Sequence, residues 1–78
     1  MSRLKVAVAV TDDARGRIYE VAAACRALGL DQTGAYAGAG LLTGSIESGD
    51  LARLLAIPGV LRVEIEQGFR SGIVGTIQ

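Results

Sequence analysis

The chain has no histidine and no tryptophan, and it carries a single cysteine, a single methionine and a single proline. Without histidine, neither a Ser-His-Asp triad nor a Cys-His pair can be assembled, which closes the commonest routes to an activated nucleophile. A closed zinc site takes about four Cys, His or carboxylate ligands. Cys25 has no Cys-x-x-Cys companion, so no metal is expected. One cysteine makes no intramolecular disulfide, which fits a reducing compartment. Neither sign of charge is in excess: eight basic and eight acidic residues cancel. The basic surplus of a phosphate-backbone binder is missing, and nucleic acid is not expected as a partner. No apolar run approaches the about 18 residues of a membrane span, and the N-terminus leads into a short alternating run rather than the apolar stretch of a secretory signal. The expectation is a stand-alone cytoplasmic protein with no membrane partner, no cofactor and no enzymatic role.

Size narrows the choice further. Seventy-eight residues make one small domain, too few for an eightfold β/α barrel of about 250 residues or for a doubly wound dinucleotide fold. Half the chain is hydrophobic but only 4% is aromatic, so the core must be built from Val, Ile, Leu and Ala.

What is present is clear periodicity. In residues 4–10, Leu4, Val6, Val8 and Val10 alternate with Lys5, Ala7 and Ala9, the period-2 signature of a strand with one buried face. Thr11, Asp12 and Asp13 supply cap chemistry for a helix over residues 14–28, whose apolar stripe is Ile18, Val21, Ala22, Cys25 and Leu28. Gly29 ends it. Residues 31–47 read as a hairpin turning near Gly38 and Gly40. A short helix capped by Ser48 carries Leu51, Leu54 and Leu55. After the Pro58 and Gly59 turn, Leu61, Val63 and Ile65 alternate with Arg62, Glu64 and Glu66 in a last strand. The order βαββαβ predicts an α+β ferredoxin-like fold, a four-stranded antiparallel sheet with two helices on one face. Residues 1–67 form this domain, and 68–78 form a C-terminal tail too apolar for an ordinary solvated one. Beneath the helices the expected core is Val6, Val8, Ile18, Val21, Cys25, Leu51, Leu54, Leu55, Leu61, Val63 and Ile65.

Among candidate sites, the glycines at 34, 38, 40 and 44 invite a phosphate-loop reading. A dinucleotide fingerprint must open a helix, however, and here a strand follows, so turn and close sheet packing is the better account. Lys5 reads as solvated and Cys25 as a small core hydrophobe. The open sheet face, assigned by alternation to Ala7, Ala9, Thr43, Ser45, Arg62, Glu64 and Glu66, is the informative feature, because helices cannot cover both faces of so short a chain.

With this order, the run LARLLAIPGVLRVEIEQ and the apolar tail, the chain resembles the subtilisin propeptide-like proteinase inhibitors. The resemblance is carried by the leucine-bearing helix, the turn before Val60, and Val63, Glu64 and Glu66 in the last strand. It implies a subtilisin-like serine protease as partner. In that family the open sheet face packs on two parallel surface helices of the protease, and an acidic pair caps their N-termini; here that pair would be Glu64 and Glu66. The resemblance also implies that Gly75, Thr76, Ile77 and Gln78 lie extended in the substrate cleft, with Gln78 in the primary pocket. A different class of reading remains: a small ferredoxin-like ligand-sensing or assembly protein that acts as a homo-oligomer through its sheet faces or edge strands.

Overall fold

The computed structural model describes residues 2–66. Its elements follow in the order β1 (Arg3–Val10), a 3-10 turn (Asp12–Arg17), α1 (Ile18–Ala27), β2 (Asp31–Tyr36), β3 (Leu41–Glu47), a second 3-10 turn (Ser48–Asp50), α2 (Leu51–Leu54) and β4 (Val60–Ile65). The strands form one sheet in the order β2-β3-β1-β4, with every neighbouring pair antiparallel. This is the α+β ferredoxin-like arrangement, in which β3 lies between the parallel strands β1 and β2 that flank α1.

Register sorts the two faces. Val6 and Val8 of the central strand stand opposite Gly44 and Leu42 of β3 and Ile65 and Val63 of β4. This face meets the helices through Ile18, Val21, Ala22 and Cys25 of α1 and Leu54 of α2, which join Val6, Val8, Val10, Leu42 and Ile46 in one buried cluster. Ile18, Leu42, Ile46 and Leu54 are the largest side chains fully enclosed. Each contributes roughly 1.5 to 3 kcal/mol of burial free energy. Enclosure also pushes the Cys25 thiol's pKa upward, because the apolar surroundings disfavour the thiolate, with Arg26 opposing the shift.

The helix expected over residues 14–28 is α-helical only from Ile18. Ahead of it the chain winds as a tighter 3-10 turn around Gly16, a residue that destabilises a helix interior. Thr11 occupies the cap position but makes no side-chain cap bond. Its hydroxyl instead holds the Asp13 carboxyl below its ordinary pKa. The C-terminal end is as expected. Gly29, at φ +107, lets the amides of Gly29 and Leu30 donate to the carbonyls of Arg26 and Cys25 at 3.0 and 3.1 Å, the paired bonds of a Schellman motif.

Three residues expected in the core, Leu55 from the short helix and Leu61 and Ile65 from alternation, are not enclosed: they are 56, 57 and 43% exposed. Leu51 and Val63 are half-buried. The register itself is as expected, with Arg62 opposite Ala9 and Glu64 opposite Ala7, away from the helices. Three features of the fold limit the cover. β4 is an edge strand, α2 is only one turn long, and the pairing shifts between Ala9 and Val10 so that Val10 meets Val60 and Leu61 becomes the extra residue of a bulge.

Candidate docking face

The face turned away from the helices is built in four columns. β1 supplies Lys5, Ala7 and Ala9, with Ser45, Thr43 and Leu41 of β3 directly opposite. On the other side of β1, Glu64 and Arg62 flank Ala7 and Ala9. In β2, Asp31, Gly34 and Tyr36 oppose Ser45, Thr43 and Leu41. The members predicted from the sequence, Ala7, Ala9, Thr43, Ser45, Arg62 and Glu64, therefore share this face. Glu66 follows one residue beyond β4, its amide donating to the Lys5 carbonyl at 2.7 Å. Gly75, Thr76, Ile77 and Gln78 lie outside the described residues.

The middle of the face is low. Ala7 and Ala9 are only 8% exposed on the face turned away from the helices, with Thr43 and Leu41 of β3 on one side and Glu64 and Arg62 of β4 on the other. Next to them a shallow hollow of about 350 Å³ opens between Lys5, Thr33, Thr43, Gly44, Ser45 and Glu66. The Thr33 and Thr43 hydroxyls share a hydrogen bond at 3.0 Å along its wall. Gly44 allows β2 to approach closely: a Cβ there would sit 2.5 Å from the Asp31 carbonyl oxygen. The glycines at 34 and 44 thus serve sheet packing, as expected.

Charge lies at the margins. Arg3 binds the Ser45 carbonyl at 2.9 Å and stands 3.6 Å from Glu47. Arg62 Nε donates to Glu64 Oε2 at 3.0 Å, two residues along the same strand and on the same face. Glu66 has no cation within 4.0 Å among the described residues. Among the described residues the two candidate acids are therefore unlike: Glu64 is paired with Arg62, and Glu66 is in none of the ion pairs.

Sequence reading did not assign Thr33, Gly34, Tyr36 and Leu41 to this face. Their membership depends on where the hairpin closes and on a bulge between Gln32 and Gly34 that breaks the alternation of β2. Tyr36 lies along the surface, its hydroxyl 2.8 Å from where a Gly34 Cβ would be. The bareness of Gly34 is the one sequence signal that an aromatic ring is laid over the strand.

The face offers shape, charge and hydroxyls for docking. Among the described residues no three His, Cys, Asp or Glu side chains group to hold a metal ion, and no helix is long and apolar enough to cross a membrane. Set against known proteins, the chain matches no family model, no curated protein and no solved structure.

Proposed function

We propose that this protein is a propeptide-like binding module that inhibits, or chaperones the folding of, a subtilisin-like serine protease. It docks by its open sheet face and its C-terminal residues, and it is a binding protein rather than an enzyme. The observation that carries the reading is the low centre at Ala7 and Ala9 on the face turned away from the helices, with Glu64 opposite Ala7, Arg62 opposite Ala9 and Glu66 one residue beyond the strand, against Lys5. A floor of alanines lets helices of a partner approach the sheet closely. A carboxylate at the border can then satisfy the unpaired amides and positive dipole end of such a helix. Gly75, Thr76, Ile77 and Gln78 would supply main-chain hydrogen bonds and pocket contacts as an added strand in the cleft. The partner is a protein, not nucleic acid or a membrane. A cytoplasmic setting goes with the buried, unpaired thiol of Cys25.

The test is inhibition of a panel of bacterial subtilases by wild type, by the double variant Glu64→Gln and Glu66→Gln, and by a chain lacking residues 75–78. Each carboxylate at a helix N-terminus is worth roughly 0.3 to 1 kcal/mol when exposed and up to about 2 when partly buried. The double variant should bind several-fold to several-hundred-fold more weakly, and the truncation should cost more. A wild type that inhibits none of the panel at micromolar concentration overturns the reading. Self-association of the same protein in sedimentation would instead support the homo-oligomeric alternative.

A further inference from the structure

We propose that Tyr36 is the aromatic anchor of the open sheet face, a ring laid along β2 that packs on the apolar flank of a surface helix of the protease. The inference rests on the protease reading. It adds to that reading a specificity-determining contact at the edge of the sheet opposite the two candidate acids.

The face is polar at one end and apolar at the other. One row across it runs from Asp31 of β2 through Ser45 of β3 to Lys5 of β1, with Glu66 beyond. The row at the opposite end runs Tyr36, Leu41 and Ala9, and closes with Arg62. Tyr36 and Leu41 are cross-strand neighbours, a pairing that brings Cβ atoms to about 4.5 to 5.5 Å. Ala9 is buried and Leu41 half-buried, whereas Tyr36 is 55% exposed. Among the described residues it is the only aromatic side chain on this face. It stands at the corner diagonally across the sheet from Glu66.

The pose of the ring is built by the strand beneath it. A Cβ on Gly34, two residues earlier in β2, would lie 2.8 Å from the Tyr36 hydroxyl oxygen and 3.0 Å from both Tyr36 Cε2 and Thr43 Oγ1. The ring lies over the strand because Gly34 has no side chain, an arrangement in which an aromatic covers a strand glycine. Tyr offers a large amphipathic contact area with only two side-chain torsions to fix. Here the strand already restrains them, so docking costs little further freedom. Tyr is also enriched at interface hot spots. β2 and β4 are the two edges of the sheet, three strand spacings or about 14 Å apart. A partner that meets both the acids of β4 and the ring must be nearly flat over that width, which two helices packed side by side at about 8 to 10 Å supply. The helix over β2 then meets Tyr36 and Leu41, and aliphatic side chains suit that corner better than charge.

The test uses a subtilase that wild type inhibits, with thermal melting to confirm that each variant is folded. Tyr36→Ala should weaken inhibition on the order of tenfold or more, as loss of an interface anchor does. Restoring the ring as Tyr36→Phe should recover inhibition to within about threefold of wild type, because the contact is made by ring area. Gly34→Ala should push the ring off the strand and weaken inhibition several-fold. In the Tyr36→Ala background the same change should add little, since the coupling runs through the ring. In the free protein the Gly34 Hα resonances should be shifted upfield by the ring and return to ordinary values in Tyr36→Ala. A Tyr36→Ala chain that inhibits as well as wild type, a Gly34→Ala effect undiminished without the ring, or unshifted Gly34 protons in wild type overturns the anchor and leaves the protease reading standing. A wild type that inhibits no subtilase overturns both, and self-association lost in Tyr36→Ala would then assign the ring to a second copy.

Discussion

Replacing Gly44 with alanine tests whether the hairpin β2-β3 is held as closely as the structure has it. The added Cβ would lie 2.5 Å from the Asp31 carbonyl oxygen, 3.0 Å from Gln32 Cα and 3.1 Å from the Asp31 carbonyl carbon. All three are backbone atoms, so no side-chain rotation relieves the contact. Carbon needs about 3.5 Å from such neighbours, so β2 must move away by roughly 1 Å. Overpacking of this kind costs roughly 1 to 3 kcal/mol. The alanine offsets about 0.4 to 1 kcal/mol of that by stiffening the unfolded chain. A net loss of about 1 to 2 kcal/mol should lower the melting temperature by roughly 4 to 16 °C in a domain of this size. Because β2 is an edge strand, the strain should emerge there first, as faster hydrogen exchange of the β2 amides than of β1. Gly16→Ala is the control, since nothing lies within 4 Å of a Cβ at that position; it should be neutral or stabilising. Thermal unfolding followed by circular dichroism, with residue-resolved exchange, makes the measurement. A Gly44→Ala protein that melts with wild type and keeps β2 protected would refute the close approach.

Two further outcomes follow from the charges. Since Arg62 already holds Glu64 at 3.0 Å, Glu66→Gln should weaken subtilase binding more than Glu64→Gln. Arg62→Gln should strengthen it by up to several-fold, because a surface pair is worth about 0.2 to 1 kcal/mol; equal losses at both acids and no effect at Arg62 would count against the helix-capping role. Asp13 is held below its ordinary pKa first by the Thr11 hydroxyl, then by its own backbone amide and by Arg17. A depressed folded value means that its contribution to stability is present above the unfolded carboxylate pKa, near 3.9, and is lost as pH falls through the folded one. In an NMR titration Thr11→Val should raise the Asp13 midpoint, and an unchanged midpoint would remove the hydroxyl as the cause.

Much of the architecture was legible in local pattern. The alternation of Val6, Val8 and Val10 with Ala7 and Ala9, and of Val63 with Arg62 and Glu64, is set by a backbone that turns successive side chains to opposite faces. It was sufficient to assign the open face and its two acids. The helical spacing of Ile18, Val21, Ala22 and Cys25, the stop at Gly29 and the turn at Pro58 and Gly59 are equally short-range. Tertiary structure alone decided which of those apolar residues would be enclosed. Leu61 and Ile65 carry the same alternation as Val6 and Val8, but Val6 and Val8 lie in a central strand under helices. Leu61 and Ile65 lie on an edge strand beyond the reach of a one-turn α2. The same holds for the open sheet face: that Tyr36 lies over Gly34 depends on the bulge in β2 and its register with β3. Periodicity is a property of neighbouring bonds, whereas burial is a property of what the rest of the chain brings alongside.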